Sequence, residues 1–192
     1  MGRAGKAAPL VAAILAAAPP AISADLGEKL APCLACHGAD GQSELENVPS
    51  LGAQPAPYSV IQLFMFREKL RVAEPMNEMA KDLGDGELQS IADVLAKQAA
   101  PKPPADPGDP ARLERARALT EQNHCNICHR PDFSGRENVP RLAGQREDYL
   151  LKTLRDYKSG ARRGYDASMA EVLQPLNDAQ FVEFAYYLAR LR

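Results

Sequence analysis

Apolar residues recur at the spacing of an α-helix along both halves of the chain, and no segment shows the strict alternation typical of a half-buried strand. In each half the spacing predicts three helices. The first runs into a Cys-x-x-Cys-His motif, the second starts near Tyr58 or Glu147, and the third starts near Asp85 or Asn177. The pattern therefore predicts an all-α protein.

Two helix-start signals agree with this spacing. Asp109 can act as an N-cap because Pro110, a residue type favoured at the first helical position, follows it. The segment Asn177-Asp178-Ala179-Gln180 resembles a capping box with asparagine in the usual Ser/Thr place. We therefore expect one helix to begin at Pro110 and another just after Asn177.

The two halves are copies of one unit. Glu46-Asn47-Val48-Pro49 recurs 91 residues later (137 − 46) as Glu137-Asn138-Val139-Pro140. With the same offset, Leu51, Gln54, Tyr58, Leu63 and Arg71 match Leu142, Gln145, Tyr149, Leu154 and Arg162. The segment 99–110 between the two copies is rich in proline, which favours an extended connector. We predict a signal peptide at 1–24, one domain at 25–98, a linker at 99–110 and a second domain at 111–192.

All four cysteines of the chain belong to two copies of Cys-x-x-Cys-His. The copies are Cys33, Cys36 and His37, and Cys125, Cys128 and His129. In this motif each thiol adds to a haem vinyl group as a thioether, and the adjacent histidine binds the iron. The sequence therefore predicts two covalently bound c-type haems, one in each half.

A disulfide redox pair, a zinc site and two structural disulfides are the competing interpretations. None of them explains why a histidine directly follows both cysteine pairs. Tetrahedral Cys2His2 zinc sites take their histidines from a distant segment, and only His124 lies outside the motifs. The motif therefore favours haem.

Methionine is the usual sixth iron ligand in electron-transfer cytochromes, because Met/His ligation raises the reduction potential. The second half contains only Met169, 40 residues after its motif histidine (169 − 129). The predicted first domain contains three methionines, of which Met76 lies at the matching distance of 39 residues (76 − 37). We predict Met76 and Met169 as ligands, with Met79 as the substitute for Met76. Met65 is expected to pack in a helix, and core packing is the alternative role for all of them.

A proline lies at a similar distance after each motif histidine. Pro49 follows by 12 residues and Pro140 by 11. An iron-bound histidine usually donates its other ring N–H to a carbonyl, which fixes the orientation of the ring. We expect these two prolines to supply that carbonyl, although an ordinary turn proline is the alternative.

The first 24 residues have the organisation of a signal peptide: Arg3 and Lys6 precede an apolar run at 10–18, and small residues lead to Ala24. The run is shorter than the ~20 residues that span a bilayer. No later segment comes closer, so we expect no spanning segment in the mature chain and a location in a bacterial periplasm. Without Arg3 and Lys6 the chain has 21 basic and 25 acidic residues, which does not support nucleic-acid binding.

Three segments resemble the two-haem cytochrome c4 family over essentially all of the mature chain. They are His37-Gly38-Ala39-Asp40-Gly41-Gln42-Ser43, Pro140-Arg141-Leu142-Ala143-Gly144-Gln145 with Tyr149, and Arg162 leading to Met169. The resemblance implies two class I cytochrome c domains related by pseudo-twofold symmetry, with His37/Met76 and His129/Met169 as the axial pairs. It also implies electron relay in the periplasm to a terminal oxidase or reductase.

The chain departs from the family pattern at three places. Arg130 replaces the glycine usual after the motif, the segment 51–54 reads Leu-Gly-Ala-Gln instead of Leu-Ala-Gly-Gln, and the loop before Met76 is short. These departures bear on whether Met76 is the ligand of the first iron and on which redox partner the protein uses.

Three functional classes are compatible with a protein that carries two c-type haems. The first is a non-catalytic electron carrier, because two methionine-bound irons leave no open position for a substrate. The second is the electron-accepting cytochrome subunit of a periplasmic dehydrogenase, similar to the two-haem subunit of flavocytochrome sulfide dehydrogenases. The third is an enzyme such as a dihaem peroxidase, which requires an open iron and is typical of considerably longer chains.

The segment 60–66 is apolar on nearly all sides of its predicted helix. At Ile61, Phe64 and Met65 the second half has Lys152, Arg155 and Asp156. An apolar helix of this kind is buried on more than one side. We expect the other domain or the linker to cover it, or else an enzyme subunit that docks there.

Overall fold

A computed structural model describes residue 1, residues 24–165 and residues 167–192. The predicted signal peptide falls almost wholly on residues 2–23, outside the described residues. The helices are α1 (Ala24–His37), α2 (Ala56–Arg67), α3 (Met76–Ala80), α4 (Asp85–Lys97), α5 (Pro110–Gln122), α6 (Cys125–His129), α7 (Glu147–Ser159), α8 (Ser168–Leu173) and α9 (Asp178–Ala189). In these ranges the only β pairing is an isolated bridge between Arg136 and Val139. The all-α prediction is confirmed, and the described residues contain two further short helices, α3 and α8, that the apolar spacing did not predict.

The predicted helix starts are also confirmed. The Asp109 carboxylate accepts a hydrogen bond from Arg112 N at 2.6 Å, with Pro110 in the first turn. Asn177 and Gln180 form a reciprocal capping box, with two side-chain to backbone distances of 3.0 Å. These bonds satisfy N–H groups that a helix start leaves without intrahelical acceptors.

The first helix of the second half differs from expectation. It ends at Gln122, and the haem motif forms a separate one-turn helix, α6, instead of continuing α5. His124 stands between them with φ +56°, in the left-handed region that ends a right-handed helix. In the first half, α1 runs into its motif without interruption, as predicted.

Helices pack mainly within their own half of the chain. In the first half, α4 packs on α1 and α2, and α2 packs on α3; in the second, α9 packs on α5 and α7. Between the two groups, residues 99–109 contain no helix or strand. We therefore retain the domain boundaries at 25–98 and 111–192 as a proposal.

Each half has its own hydrophobic core, and the motif cysteine nearest the helix start lies against it. Cys33 packs on a cluster built around Leu30, Ile91 and Leu95. Cys125 packs on a larger cluster that contains Phe181, which is only 2% exposed. The motifs are therefore held at the edges of two separate cores.

The apolar segment 60–66 is covered partly within its own domain and partly by the other one. Met65 and Phe66 are buried in the first domain. On the same helix, Tyr58 and Gln62 accept hydrogen bonds from Arg162 of the second domain, at 3.1 and 3.4 Å. Phe64 stays 41% exposed, with the Arg67 guanidinium 5.4 Å from its ring centre. Intramolecular packing therefore covers Met65 and Phe66, and the second domain contacts Gln62, whereas Phe64 stays exposed.

No helix in the described ranges is long and apolar enough to cross a membrane.

Candidate haem sites and the interface between them

The two motif histidines occupy equivalent positions. His37 is the last residue of α1 and His129 the last residue of α6, and each is 5% exposed. His37 Nδ1 lies 2.8 Å from Pro49 O, and His129 Nδ1 lies 2.9 Å from Pro140 O. The predicted carbonyl partners are confirmed. Because Nδ1–H donates to a carbonyl, Nε2 is the nitrogen available for iron.

Burial keeps both imidazoles in the form that binds a metal. Desolvation lowers the pKa of His37 and of His129 below the ordinary value, while the hydrogen bonds to the proline carbonyls oppose this shift. A neutral ring with a proton on Nδ1 has its lone pair on Nε2. This is the form required of a histidine ligand.

The four cysteines divide into two classes by exposure. Cys33 and Cys125 are half-buried, whereas Cys36 and Cys128 are exposed. Burial raises the pKa of the Cys33 and Cys125 thiols. In each motif one sulfur therefore lies against the protein core, and the other, about one helical turn further along, lies at the surface.

The methionines also separate by position. Met76 is half-buried at the first residue of α3, and Met169 is half-buried in α8 against the second core. Met79 is 41% exposed, and Met65 is buried in α2 as expected of a packing residue. This distribution favours Met76 over Met79 as the first-domain ligand. We keep this assignment as a proposal.

Asn77, next to Met76, has a structural role that the sequence did not reveal. It is 2% exposed, and its Oδ1 accepts from Ala73 N at 2.6 Å. Its Nδ2 donates to Phe66 O and to Arg71 O, both at 2.8 Å. One side chain thus holds the loop 71–76 to the end of α2. Its only sequence signal was an amide residue beside a candidate ligand.

Between the domains lies a buried polar cluster of two repeat-related residue pairs. Tyr58 matches Tyr149 and Arg71 matches Arg162 at the offset of 91. Arg162 is 6% exposed and donates to the hydroxyls of Tyr58 and Tyr149, each at 3.1 Å. Arg71 lies 3.4 Å from the Tyr149 hydroxyl. The duplicated side chains therefore meet across the interface.

The cluster is strongly electropositive for a buried site. Burial favours the neutral phenol of Tyr149, but the nearby guanidinium groups of Arg162 and Arg71 outweigh it and lower its pKa to about 7. At Tyr58 the balance is the opposite: burial raises the pKa of this phenol, although the Arg162 guanidinium acts to lower it. A buried guanidinium needs negative or polar acceptors on every N–H.

Haem fits this arrangement. Among the described residues, Arg162 Nε is one of three buried side-chain N or O atoms without a hydrogen-bond acceptor or donor. Carboxylates form strong bidentate pairs with guanidinium groups, and each haem has two propionates. Arg162 is therefore a residue that would hold a propionate. Arg163 is exposed and has no comparable position.

Tyr186 and Tyr187 have different environments. Tyr186 is buried between Arg112 and Arg190, whose guanidinium carbons lie 3.6 and 3.8 Å from its ring centre. Its hydroxyl accepts from Asp109 N at 2.7 Å and so ties the connector to α9. Tyr187 packs in the second core, 6.2 Å from the Phe133 ring in an edge-to-face arrangement.

Known proteins resemble the chain over most of its length. A cytochrome c4 from Pseudomonas aeruginosa is 31% identical over 171 residues, which cover 85% of this chain and 85% of that protein. A thiosulfate dehydrogenase electron acceptor from Thiomonas intermedia is 32% identical and covers 91% of this chain and 81% of its own. The crystal structure of reduced cytochrome c4 from Pseudomonas stutzeri superposes with a TM-score of 0.80 at 27% identity, over 90% of this chain and all of that one. No protein-family model matches.

These similarities extend over both halves of the chain and agree with the local geometry. The structural match includes two class I cytochrome c domains, and each half of this chain has a haem motif whose buried histidine is oriented by a proline carbonyl. The cytochrome c4 relatives are electron carriers with two haems. The chain therefore belongs to the cytochrome c4 family and carries two covalently bound c-type haems.

Proposed function

We propose that this protein is a periplasmic, non-catalytic electron carrier. In it, His37 and Met76 bind one iron, and His129 and Met169 bind the other. The observation that carries the proposal is the duplicated site: a buried imidazole with Nδ1–H on a carbonyl, and a half-buried methionine in the same domain. The signal-like composition of residues 1–24 supports the location.

When bound, each haem supplies a one-electron iron couple. The protein controls its environment through the axial residues, the hydrogen bonds behind them and burial. Burial favours the neutral form of His37 and His129, and the carbonyls of Pro49 and Pro140 fix the ring proton on Nδ1. A thioether from Met76 or Met169 would exclude water and substrates from the iron, so its set of ligands would stay the same on oxidation and reduction. Little reorganisation then accompanies electron transfer.

Carbon monoxide binding to the reduced holoprotein tests the carrier assignment. Carbon monoxide needs an open position on ferrous iron, so two His/Met haems should show no difference spectrum at the haem content given by a pyridine haemochrome assay. Binding to half of the haem would contradict the assignment. Met76→Ala and Met169→Ala are the matched variants: each should open one haem, whereas Met79→Ala should open neither.

A second candidate function is supported by similarity to thiosulfate dehydrogenase electron acceptors. The Thiomonas intermedia protein is an electron acceptor of thiosulfate dehydrogenase and is 32% identical over 91% of this chain. We propose as the alternative that the chain accepts electrons from a periplasmic dehydrogenase of sulfur compounds. Its Phe64, which is exposed on α2, is an apolar residue available for such a contact.

Stopped-flow reduction separates the two candidates. Under the alternative, thiosulfate with a thiosulfate dehydrogenase should reduce the ferric protein rapidly and with saturation, and Phe64→Glu should raise the half-saturating concentration. Thiosulfate without the dehydrogenase is the control. Slow reduction without saturation would refute the alternative and leave the general carrier function untouched.

A further inference from the structure

Two glutamines of the repeat cross from one domain to the other. Gln145 of the second domain binds the backbone of Ser50 in the first: its Oε1 accepts from Ser50 N and its Nε2 donates to Ser50 O, both at 2.8 Å. Gln54 of the first domain binds Arg141 of the second in the same way, at 3.0 and 2.9 Å. The two contacts are related by the offset of 91 residues (145 − 54 and 141 − 50).

The peptides that these glutamines bind are the ones that orient the haem histidines. The N–H of Ser50 and the C=O of Pro49 belong to the same peptide group. The C=O faces His37 Nδ1 at 2.8 Å, while the N–H donates to Gln145. This peptide group therefore joins two hydrogen bonds into a continuous chain, which runs from Gln145 of the second domain to His37 of the first haem motif.

The second motif has the mirror arrangement. The C=O of Pro140 faces His129 Nδ1 at 2.9 Å, and the N–H of the same peptide, from Arg141, donates to Gln54 in the first domain. Both glutamines are 4% exposed, so water does not compete strongly for these bonds. Two independent copies of one geometry indicate that it is a property of the fold.

We propose that Gln54 and Gln145 are positioning residues that act across the interface. Each one holds the peptide that orients the histidine of the opposite domain and thereby tunes the reduction potential of the haem there. An amide whose N–H donates a hydrogen bond becomes a better acceptor at its C=O, by roughly 10–30% per bond in such chains. A stronger acceptor for Nδ1–H makes the imidazole a more basic ligand. A more basic ligand stabilises ferric iron and lowers the potential. This inference rests on the proposed histidine ligation.

Loss of either glutamine is predicted to raise the reduction potential of the haem in the opposite domain. Gln145→Ala removes the acceptor of Ser50 N–H, weakens the Pro49 carbonyl as an acceptor, and raises the potential of the haem on His37. Gln54→Ala raises the potential of the haem on His129. In each variant, the haem of the mutated domain should shift several-fold less than the haem of the opposite domain.

The test is a potentiometric titration of the full-length holoprotein, with the two haems resolved by proton NMR. A second reading comes from the histidine Nδ1–H signals of the reduced, ¹⁵N-histidine-labelled protein, which should move upfield when the hydrogen bond to the carbonyl weakens. The ring-current shift of each imidazole reports iron ligation independently, so a failure of ligation is distinguishable from a failure of the crossed tuning.

Gln145→Glu separates tuning from a loosened interface. Glutamate keeps an acceptor oxygen for Ser50 N–H in either protonation state, so the potential of the His37 haem should stay at or below the wild-type value. A rise in both Gln145→Ala and Gln145→Glu would overturn the proposal, since it would indicate a general packing effect. Equal shifts of both haems, a shift confined to the mutated domain, or no shift would also overturn it.

Discussion

Asn77 holds the loop that presents Met76, and its replacement is expected to release that loop. The side chain makes three hydrogen bonds, at 2.6, 2.8 and 2.8 Å, and is 2% exposed. Asn77→Ala removes all three and leaves the Arg71 carbonyl and the Ala73 N–H without these partners, whereas the Phe66 carbonyl keeps its bond from Lys69 N at 3.1 Å. At roughly 1 kcal/mol net for each neutral hydrogen bond, the loop should lose about 3 kcal/mol.

Native-state amide exchange measures this loss at the residue concerned. Ala73 N–H donates to Asn77 Oδ1, and Met76 N–H donates to Ala73 O at 2.8 Å. Since about 1.4 kcal/mol corresponds to a factor of ten, we expect both amides to exchange roughly 100-fold faster in Asn77→Ala. The sulfur-to-iron charge-transfer band of the ferric protein should weaken in parallel if Met76 is the ligand.

The exposed Asn138 provides the matched control, because Asn138→Ala removes the same groups from a solvated position. It should leave both amides and the charge-transfer band unchanged. Unchanged exchange at Ala73 in Asn77→Ala would refute the role of this side chain. Faster exchange with an unchanged band would retain the structural role and argue against Met76 as the ligand.

Two further predictions concern the interface and the second core. The Asp148 carboxylate accepts from Arg146 and from Asn47 N of the other domain; burial opposes ionisation, but these bonds lower its pKa overall. Its stabilisation is therefore present at neutral pH and lost as the pH falls below about 4. In urea unfolding, Asp148→Asn should cost roughly 1 kcal/mol near pH 7, and an equal cost near pH 3 would contradict this. Phe181→Ala should cost about 3–5 kcal/mol, because it leaves a cavity in a core position that is 2% exposed. Phe64→Ala is the exposed control, and equal losses in the two variants would refute the packing argument.

The local features of this protein were readable from short stretches of sequence. The Cys-x-x-Cys-His motif specifies haem attachment through residue types at fixed spacing, and the capping residues Asp109 and Asn177 predicted helix starts that the structure shows. The hydrogen bonds from His37 and His129 to Pro49 and Pro140 followed from the need to orient a ligating ring. Each of these depends on interactions over 12 residues or fewer, so the local sequence determines it.

Other features depended on contacts between distant segments. The left-handed conformation of His124, which separates α6 from α5, has no pattern in the apolar spacing. The roles of Gln54 and Gln145 had one signal, their duplication, but nothing in the sequence indicated that each side chain crosses to the other domain over 87 or 95 residues. Such contacts have no local signature, because they arise only when two separate cores are placed side by side.

The amino-acid sequence by itself thus determined the longer helices, the duplicated haem motifs and the family. Periodicity, capping and covalent chemistry act between near neighbours in the chain. The tertiary structure alone decided how the two sites are connected. Burial of Arg162 between two tyrosines, and the binding of each histidine-orienting peptide by a glutamine of the other domain, require the packed interface. Hydrogen bonds of this kind become strong only where packing has excluded water.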